Sequence, residues 1–367
     1  MPVINERGEV RYTEPTHLHD EAGKLAARGW ATSMLIKYDR SRLKVGWRRI
    51  KEWDYYLIYD ENYAIALTLN DMGYLGMLSA SLIDFKTGTY KTATTLTPFP
   101  RGKFNMPSSS DAGVSEFETK QVRMRFKAAN GARRIECTYK KFDGDDDLVI
   151  DVVLDQEPCD SMVIATPWAE DPEAFYFNQK IIAMRAEGGF AKGKLSYEFT
   201  GEASFGLLDW GRGVWTRDNT WYWSAAQGWQ DGEGNSTVGS HKFGFNLGYG
   251  FGDTTAASEN MVFVDGVAHK LGRLDFGIPE LDGAHSASKL QDRYDFLKPW
   301  HMTDDEGRLD LTFTPAIDRF DYTDALLVIS DQHQVFGSFD GYVVLDDGSR
   351  FEVKGLKGFA EAVRNKY

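Results

Sequence analysis

The sequence predicts an all-β protein: two antiparallel β-barrels or strongly bent sheets, with a few short helices. Three observations carry that expectation. Segments of alternating apolar and polar residues recur at short spacing, with turn signals between them. Aromatic residues make up 14% of the chain, and aromatic side chains suit pleated, half-buried surfaces. Glycines number 36 against 11 prolines, which fits many tight turns. Strands and helices do not alternate as a parallel sheet would require. At 367 residues the chain exceeds the usual size of one core, so two domains are expected.

The elements follow in order. Residues 1–20 are polar and read as an ordered arm. Residues 21–31 (EAGKLAARGWA) put Ala26, Ala27 and Trp30 on one helical face, so a short helix is expected there. Period two then takes over at 53–59 and 63–69, with Asp60-Glu61-Asn62 as the turn. Residues 75–85 continue as a strand into the hairpin signal Lys86-Thr87-Gly88-Thr89. One long strand is expected over 116–128, paired with 133–142 across Asn130-Gly131, a type I′ signal. Further strands are expected at 148–154, 162–166, 180–187 and 193–199. The second half repeats the style at 220–226, 242–249, 261–264, 267–271, 309–315, 332–345 and 349–353. Residues 357–365 place Phe359, Ala360 and Val363 on one side and read as a C-terminal helix. Strand-rich stretches flank 187–201, so an N-terminal β domain over 1–190 and a C-terminal β domain with that helix over 191–367 are expected.

Composition excludes several function classes. The net charge of -13 speaks against nucleic acid or an anionic membrane as a partner. The two cysteines, Cys137 and Cys159, form no disulfide framework and no metal pattern. The polar start MPVINERGEV is not a signal peptide, and no run of about 18 apolar residues suggests a membrane helix. A cytoplasmic protein without membrane insertion is the expectation. The histidines show no metal-ligand spacing, so neither a metal site nor a cofactor is expected. Gly248–Asp253 lacks the Lys-Ser/Thr of a phosphate loop, and a glycine-rich barrel corner explains it better.

Residues 205–259 concentrate the chemistry. Five of the ten tryptophans lie here: Trp210, Trp215, Trp221, Trp223 and Trp229. Asp209, Arg212, Asn219, Asn246, Asp253 and Glu259 are interspersed among them. Flat apolar surfaces with a few polar groups make a plausible pocket wall. Asp209 and Glu259 are the candidate acid/base pair, since a carboxyl desolvated against an indole can act as a general acid. The alternative is that Asp209 clamps Arg212 and Glu259 is a turn carboxylate. Arg212, between two glycines, could grip a carboxylate, stack on a ring, or hold a hairpin corner. Asp331 and His333 would face the same side of a strand and could form a proton-transfer pair, or a satisfied core histidine. Lys103, Asn105, Trp168, Asn178 and Lys180 are candidates for the mouth of a cavity in the first domain.

Long strings carry a resemblance. FGLLDWGRGVW (205–215), NTWYW (219–223), FGFNLGYGFGDTTAASENM (243–261), IDR (317–319) and SDQHQVFG (330–337) resemble a bacterial and fungal family catalogued as domain of unknown function 2804. FNMP (104–107), TPWAEDPEAFYFNQKI (166–181) and GFAE (358–361) extend the resemblance over essentially the whole chain. More distantly, the layout is similar to two-barrel lipocalin-like proteins that include carotenoid hydratases. That similarity implies lipocalin-like barrels and proteins that hydrate, cyclise or fold long apolar molecules. The leading expectation is a cofactor-independent acid/base enzyme acting on a small, largely apolar molecule. Asp209 and Glu259 would move protons, with Asp331 and His333 as further catalytic candidates. Arg212 would orient the substrate, and Trp210, Trp215, Asn219, Trp221, Trp223, Asn246, Asp253 and Asn178 would bind it. A glycosidase with paired carboxylates and a non-catalytic lipid carrier are the alternatives.

Overall fold

The computed structural model describes residues 2–231, 240–285, 287–325 and 328–366. Among them, fifteen strands join into one sheet and nine into another, so the all-β expectation holds. Among the described residues, helix is confined to Leu290–Arg293 and the 3-10 turn Arg40–Arg42. No helix among the described residues is long and apolar enough to cross a membrane. The chain forms two compact units, Met1–Trp215 with Thr255–Ala257, and Thr216–Thr254 with Ser258–Tyr367. Position 190 lies within the strand Phe175–Lys192 of the first unit.

The first unit is organised by that strand. Its first half pairs with Met162–Pro167, and its second half with Asp146–Asp155. On its other edge it pairs with Phe205–Val214 and Leu195–Phe199. Phe205–Val214 in turn pairs with Ile50–Tyr59, which leads through Tyr63–Asp71 and Leu75–Asp84 to Thr89–Pro98. The fork gives the sheet two arms, and side chains draw them together. Thr95 and Tyr139 share a hydroxyl–hydroxyl bond of 2.7 Å, and Lys91 reaches Asp143 at 3.6 Å. The curled sheet encloses an apolar cluster that includes Ile58, Leu67, Phe126, Ile150, Phe177 and Leu208.

The second unit runs, strand beside strand, from Val267–Lys270 through Met261–Val264, His241–Tyr249, Asp218–Gln230, Arg350–Lys366, Val328–Val344, Leu309–Ala325 and Trp300–Asp304 to Leu274–Asp275. Register shifts at Pro315/Ile317 and Phe339/Gly341 bend the long central strands. Arg308 Nη1 donates to the Lys270 carbonyl at 2.7 Å, joining one end of the order to the other. Aromatic residues dominate the enclosed core: Phe243 stacks on Phe351 with centroids 4.8 Å apart, and Phe313 on Phe339 at 4.6 Å.

Three local expectations are corrected. Residues 21–31 contain no helix; Gly29–Ala31 is a strand, paired with Met162–Pro167 and with Arg11. Gly29 has φ 152°, and a Cβ there would sit 2.3 Å from the Val10 carbonyl oxygen, so this glycine permits a close backbone approach. The expected long strand over 116–128 is a hairpin, Gly113–Glu118 and Val122–Ala129. Thr119 breaks it, its Oγ1 accepting from the backbone of Gln121 and Val122 at 3.1 and 3.0 Å. The C-terminal helix is instead the strand Arg350–Lys366, paired along both edges. Its Lys, Ala and Glu residues favour helix by only tenths of a kcal/mol each. Two ladders and the burial of Phe359, Ala360, Ala362 and Val363 outweigh that preference.

His19 gives the fold a testable acid sensitivity. The ring is buried edge-on against Phe175, with centroids 4.6 Å apart, and its Nδ1 has no hydrogen-bond partner. Burial, partly offset by Asp20, lowers its pKa from 6.5 to about 4. Below pH 6.5 the unfolded chain takes up a proton that the folded chain refuses, so stability falls as pH drops toward 4. Between pH 7 and 4 the wild type should lose about 3 kcal/mol more than His19→Leu. Parallel urea titrations of the two proteins would show this, and identical pH slopes would refute it.

Candidate functional site

The inward face of the first sheet carries a buried polar cluster. It is built on two neighbouring strands. On Ile50–Tyr59, residues Glu52, Asp54 and Tyr56 share the face of the core residues Ile50 and Ile58. On Phe205–Val214, Trp210 and Arg212 do the same beside Leu208 and Val214. Arg212, 0% exposed, lies over the Trp210 ring at 4.0 Å. Its Nη1 donates to Asp54 Oδ1 at 3.1 Å and to the Trp53 and Gly211 carbonyls at 2.9 and 2.8 Å. Its Nη2 donates to the Pro107 carbonyl at 2.9 Å, tying down the loop that follows. Glu52 lies 3.9 Å from Arg212 Nε, accepts from Tyr38 Oη at 3.0 Å, and pairs with Arg40. Ser115 Oγ donates to Asp54 Oδ2. Beside Glu52, burial first and the carboxylate second raise the Tyr38 pKa well above its ordinary value.

A cavity of about 10 Å³ opens beside this cluster, room for one water. Asp54, Tyr56, Arg133 and Trp210 line it, together with Ser109, Ser110 and Ser115. Arg133 Nη1 donates to Tyr56 Oη at 3.4 Å. Burial raises the Tyr56 pKa from 10.0, with Arg133 opposing, so the phenol keeps its proton at neutral pH. Tyr56 therefore presents a proton and Asp54 a carboxylate to one cavity. Two positions apart on a strand, they are separated by roughly 7 Å along the chain.

The sequence-derived candidates fall into separate places. Arg212 and Trp210 belong to the cluster just described; Arg212 is held by Asp54 and Glu52, not by Asp209. Asp209 points to the other face of its strand, where Lys180 Nζ lies 2.9 Å from it and Asn178 Nδ2 donates to it at 2.7 Å. Trp215 lies on that face too, in edge and tilted contact with Trp53, Tyr176 and Trp168 at 5.4–5.8 Å. Lys103, Asn105, Trp168, Asn178 and Lys180 do not line the cavity. Glu259 belongs to the second unit, whereas Asp209 belongs to the first. There Asn246 Nδ2 donates to the Glu259 carbonyl at 2.9 Å and carboxylate at 3.3 Å, while Trp223 Nε1 donates to Asn246 at 2.7 Å. Trp221 Nε1 donates to Glu361 at 3.1 Å. Asn219 closes a turn, exchanging bonds with Thr216, and Asp253 is exposed.

Asp331 and His333 do share one face, inside the second sheet. His333 Nε2 lies 3.6 Å from Asp331, and Nδ1 bonds at 2.7 Å to Asp318, which sequence reasoning missed. The ring is stacked between Phe296 at 3.9 Å and Phe320 at 4.4 Å. Asp331 also accepts from the Leu290 amide at 2.7 Å. Both ring faces are covered, and Asp318 and Asp331 lie at the two ring nitrogens. Among the described residues, no group of three or more His, Cys, Asp or Glu side chains could hold a metal ion.

The glycines beside Arg212 make no turn. Gly211 lies mid-strand, where a Cβ would stand 2.0 Å from the Trp53 ring. Gly211→Ala should therefore displace Trp53 and cost about 1–3 kcal/mol. The check is urea unfolding together with the near-ultraviolet tryptophan circular dichroism; an unchanged spectrum would contradict the ring contact.

The first unit's curled antiparallel sheet carries Glu52, Asp54, Tyr56, Arg133 and Arg212 buried on its inward face, beside a small, partly open polar cavity. The chain matches the family described as domain of unknown function (DUF2804) over residues 9–367, and it belongs to that family. No curated protein matches the sequence. Among solved structures it is similar to a Nitrosomonas europaea protein provisionally named AttH, at 11% identity and TM-score 0.46, covering 87% of this chain and 92% of that one. It is also similar to kievitone hydratase from Nectria haematococca, at 12% identity and TM-score 0.46, covering 86% and 88%.

Proposed function

We propose that this chain is a cofactor-independent acid/base enzyme, of hydratase or isomerase type, acting on a small and largely apolar molecule at the open side of the first unit's cavity. The observation that carries this reading is the pairing of Asp54 and Tyr56 on one cavity. In a hydration, Asp54 takes a proton from water as its oxygen bonds to one carbon of an activated double bond. Tyr56 gives its proton to the other carbon, and the proton on Asp54 returns to Tyr56 to close the cycle. Isomerisation needs the same two groups without the water. Arg212 holds Asp54 in place, and Trp210 and Phe126 supply apolar walls. Positioned acid and base groups of this kind typically contribute about 10²–10⁴-fold each.

The test is incubation in D2O with a panel of small conjugated alkenoic acids and their β-hydroxy counterparts. Mass spectrometry then reads deuterium bound to carbon. Exchange by the wild type, abolished in Asp54→Asn, supports the reading. Exchange that survives Asp54→Asn, or none with any member of the panel, would remove it.

A further inference from the structure

We infer that Arg133 is the receptor for a substrate carboxylate. This rests on the reading of the first unit's cavity as a site and names the class of molecule it takes. Arg133 is 1% exposed. Its sole side-chain hydrogen bond among the described residues is the 3.4 Å contact from Nη1 to Tyr56 Oη. Nε and Nη2 have no partner. No carboxylate offsets its charge, because the two in this cluster are already engaged: Glu52 by Arg40 and Arg212, and Asp54 by Arg212. Arg40 is partly exposed, so within the interior Arg133 and Arg212 face Glu52 and Asp54, and among the described residues Arg133 is the one of the two arginines with no carboxylate bonded to it. An unpaired buried cation costs several kcal/mol, and a folded chain retains one where a ligand supplies the missing charge.

The geometry selects the ligand. Nε and Nη2 form one edge of the guanidinium, and two parallel N–H groups match the two oxygens of a planar carboxylate. The cavity is partly open, and a planar carboxylate matches that guanidinium edge better than a tetrahedral phosphate. Phe126, Ala128 and Trp210 line the same space and favour an apolar body. A carboxylate on Arg133 sets the adjacent carbons beside Tyr56, whose Oη Arg133 already touches.

The test is calorimetric titration with 3-phenylpropanoate, its alcohol 3-phenylpropanol, and inorganic phosphate. We expect saturable binding of the carboxylate, with the alcohol and phosphate at least tenfold weaker. Arg133→Met and Arg133→Gln should abolish that preference. Without ligand, Arg133→Met should melt at the same or a higher temperature than wild type. Equal binding of acid and alcohol, preferred binding of phosphate, no binding, or a preference that survives both variants would overturn the inference. The wild-type congener comparison stands even if a variant fails to fold. Deuterium exchange without carboxylate preference would sink this inference and leave the acid/base reading; carboxylate preference without exchange would do the reverse.

Discussion

Arg212→Met should lower the unfolding free energy of the first unit by about 3–5 kcal/mol, the cost of removing one partner from a buried ion pair. The side chain is fully buried and serves both Asp54 and Glu52. With methionine, Glu52 keeps Arg40 and Tyr38, but Asp54 is left with Ser115 alone. The Pro107 carbonyl also loses its donor, and with it the loop its anchor. The triple variant Glu52→Gln, Asp54→Asn, Arg212→Met should recover part of the loss, because the stranded charges leave with their partner. Urea unfolding of both variants decides the matter. A single variant within about 1 kcal/mol of wild type would mean that solvent reaches these charges. The contrast with Arg133 is sharp: removing a paired arginine destabilises, whereas removing an uncompensated one does not.

Much of the fold was legible because hairpins write themselves locally. Asn130 and Gly131 take the left-handed conformations, φ 53° and 74°, that their type I′ signal demands. Alternation found the half-exposed strands, such as Asp146–Asp155, which is buried at every second position from Leu148 to Leu154. It failed where both faces are covered. Phe205–Val214 is buried at all ten positions and so shows no period. The helix expected near the C-terminus failed for a related reason, since two long-range ladders decide that strand and neither is visible in a local window.

The site was half legible. Tryptophan density pointed to Trp210 and Arg212, which do belong to the buried cluster. Asp54 and Tyr56 went unnoticed because Trp53-Asp54-Tyr55-Tyr56 reads as an ordinary aromatic strand. The available signal was a carboxylate in phase with Ile50 and Ile58 on a core-facing strand, where an ionised group needs a partner. Arg133 offered a similar signal, in phase with Ile135 and Cys137. Only the pairing of Ile50–Tyr59 with Phe205–Val214 brings Asp54 to Arg212, across more than half the first unit's sequence.

Asp54→Asn should lower kcat/KM for the exchanging substrate by about 10²–10⁴-fold, while leaving the binding of 3-phenylpropanoate within a fewfold of wild type. An amide keeps the shape and the bond from Arg212, but it cannot take a proton. At about 1.4 kcal/mol per decade, that is a loss of roughly 3–5 kcal/mol of transition-state stabilisation. Tyr56→Phe removes the donor and should cost a comparable factor. Its effect differs in one respect, the pH profile. The acid form of Tyr56 does the work, and burial raises its pKa from 10.0. The phenol therefore stays protonated throughout the neutral and mildly alkaline range, and the wild-type rate should show no alkaline decline below about pH 10. A rate that falls between pH 7 and 9 would assign the acid to another group. Equal losses of kcat and binding in Asp54→Asn would make Asp54 a structural counter-ion for Arg212, with no part in proton transfer.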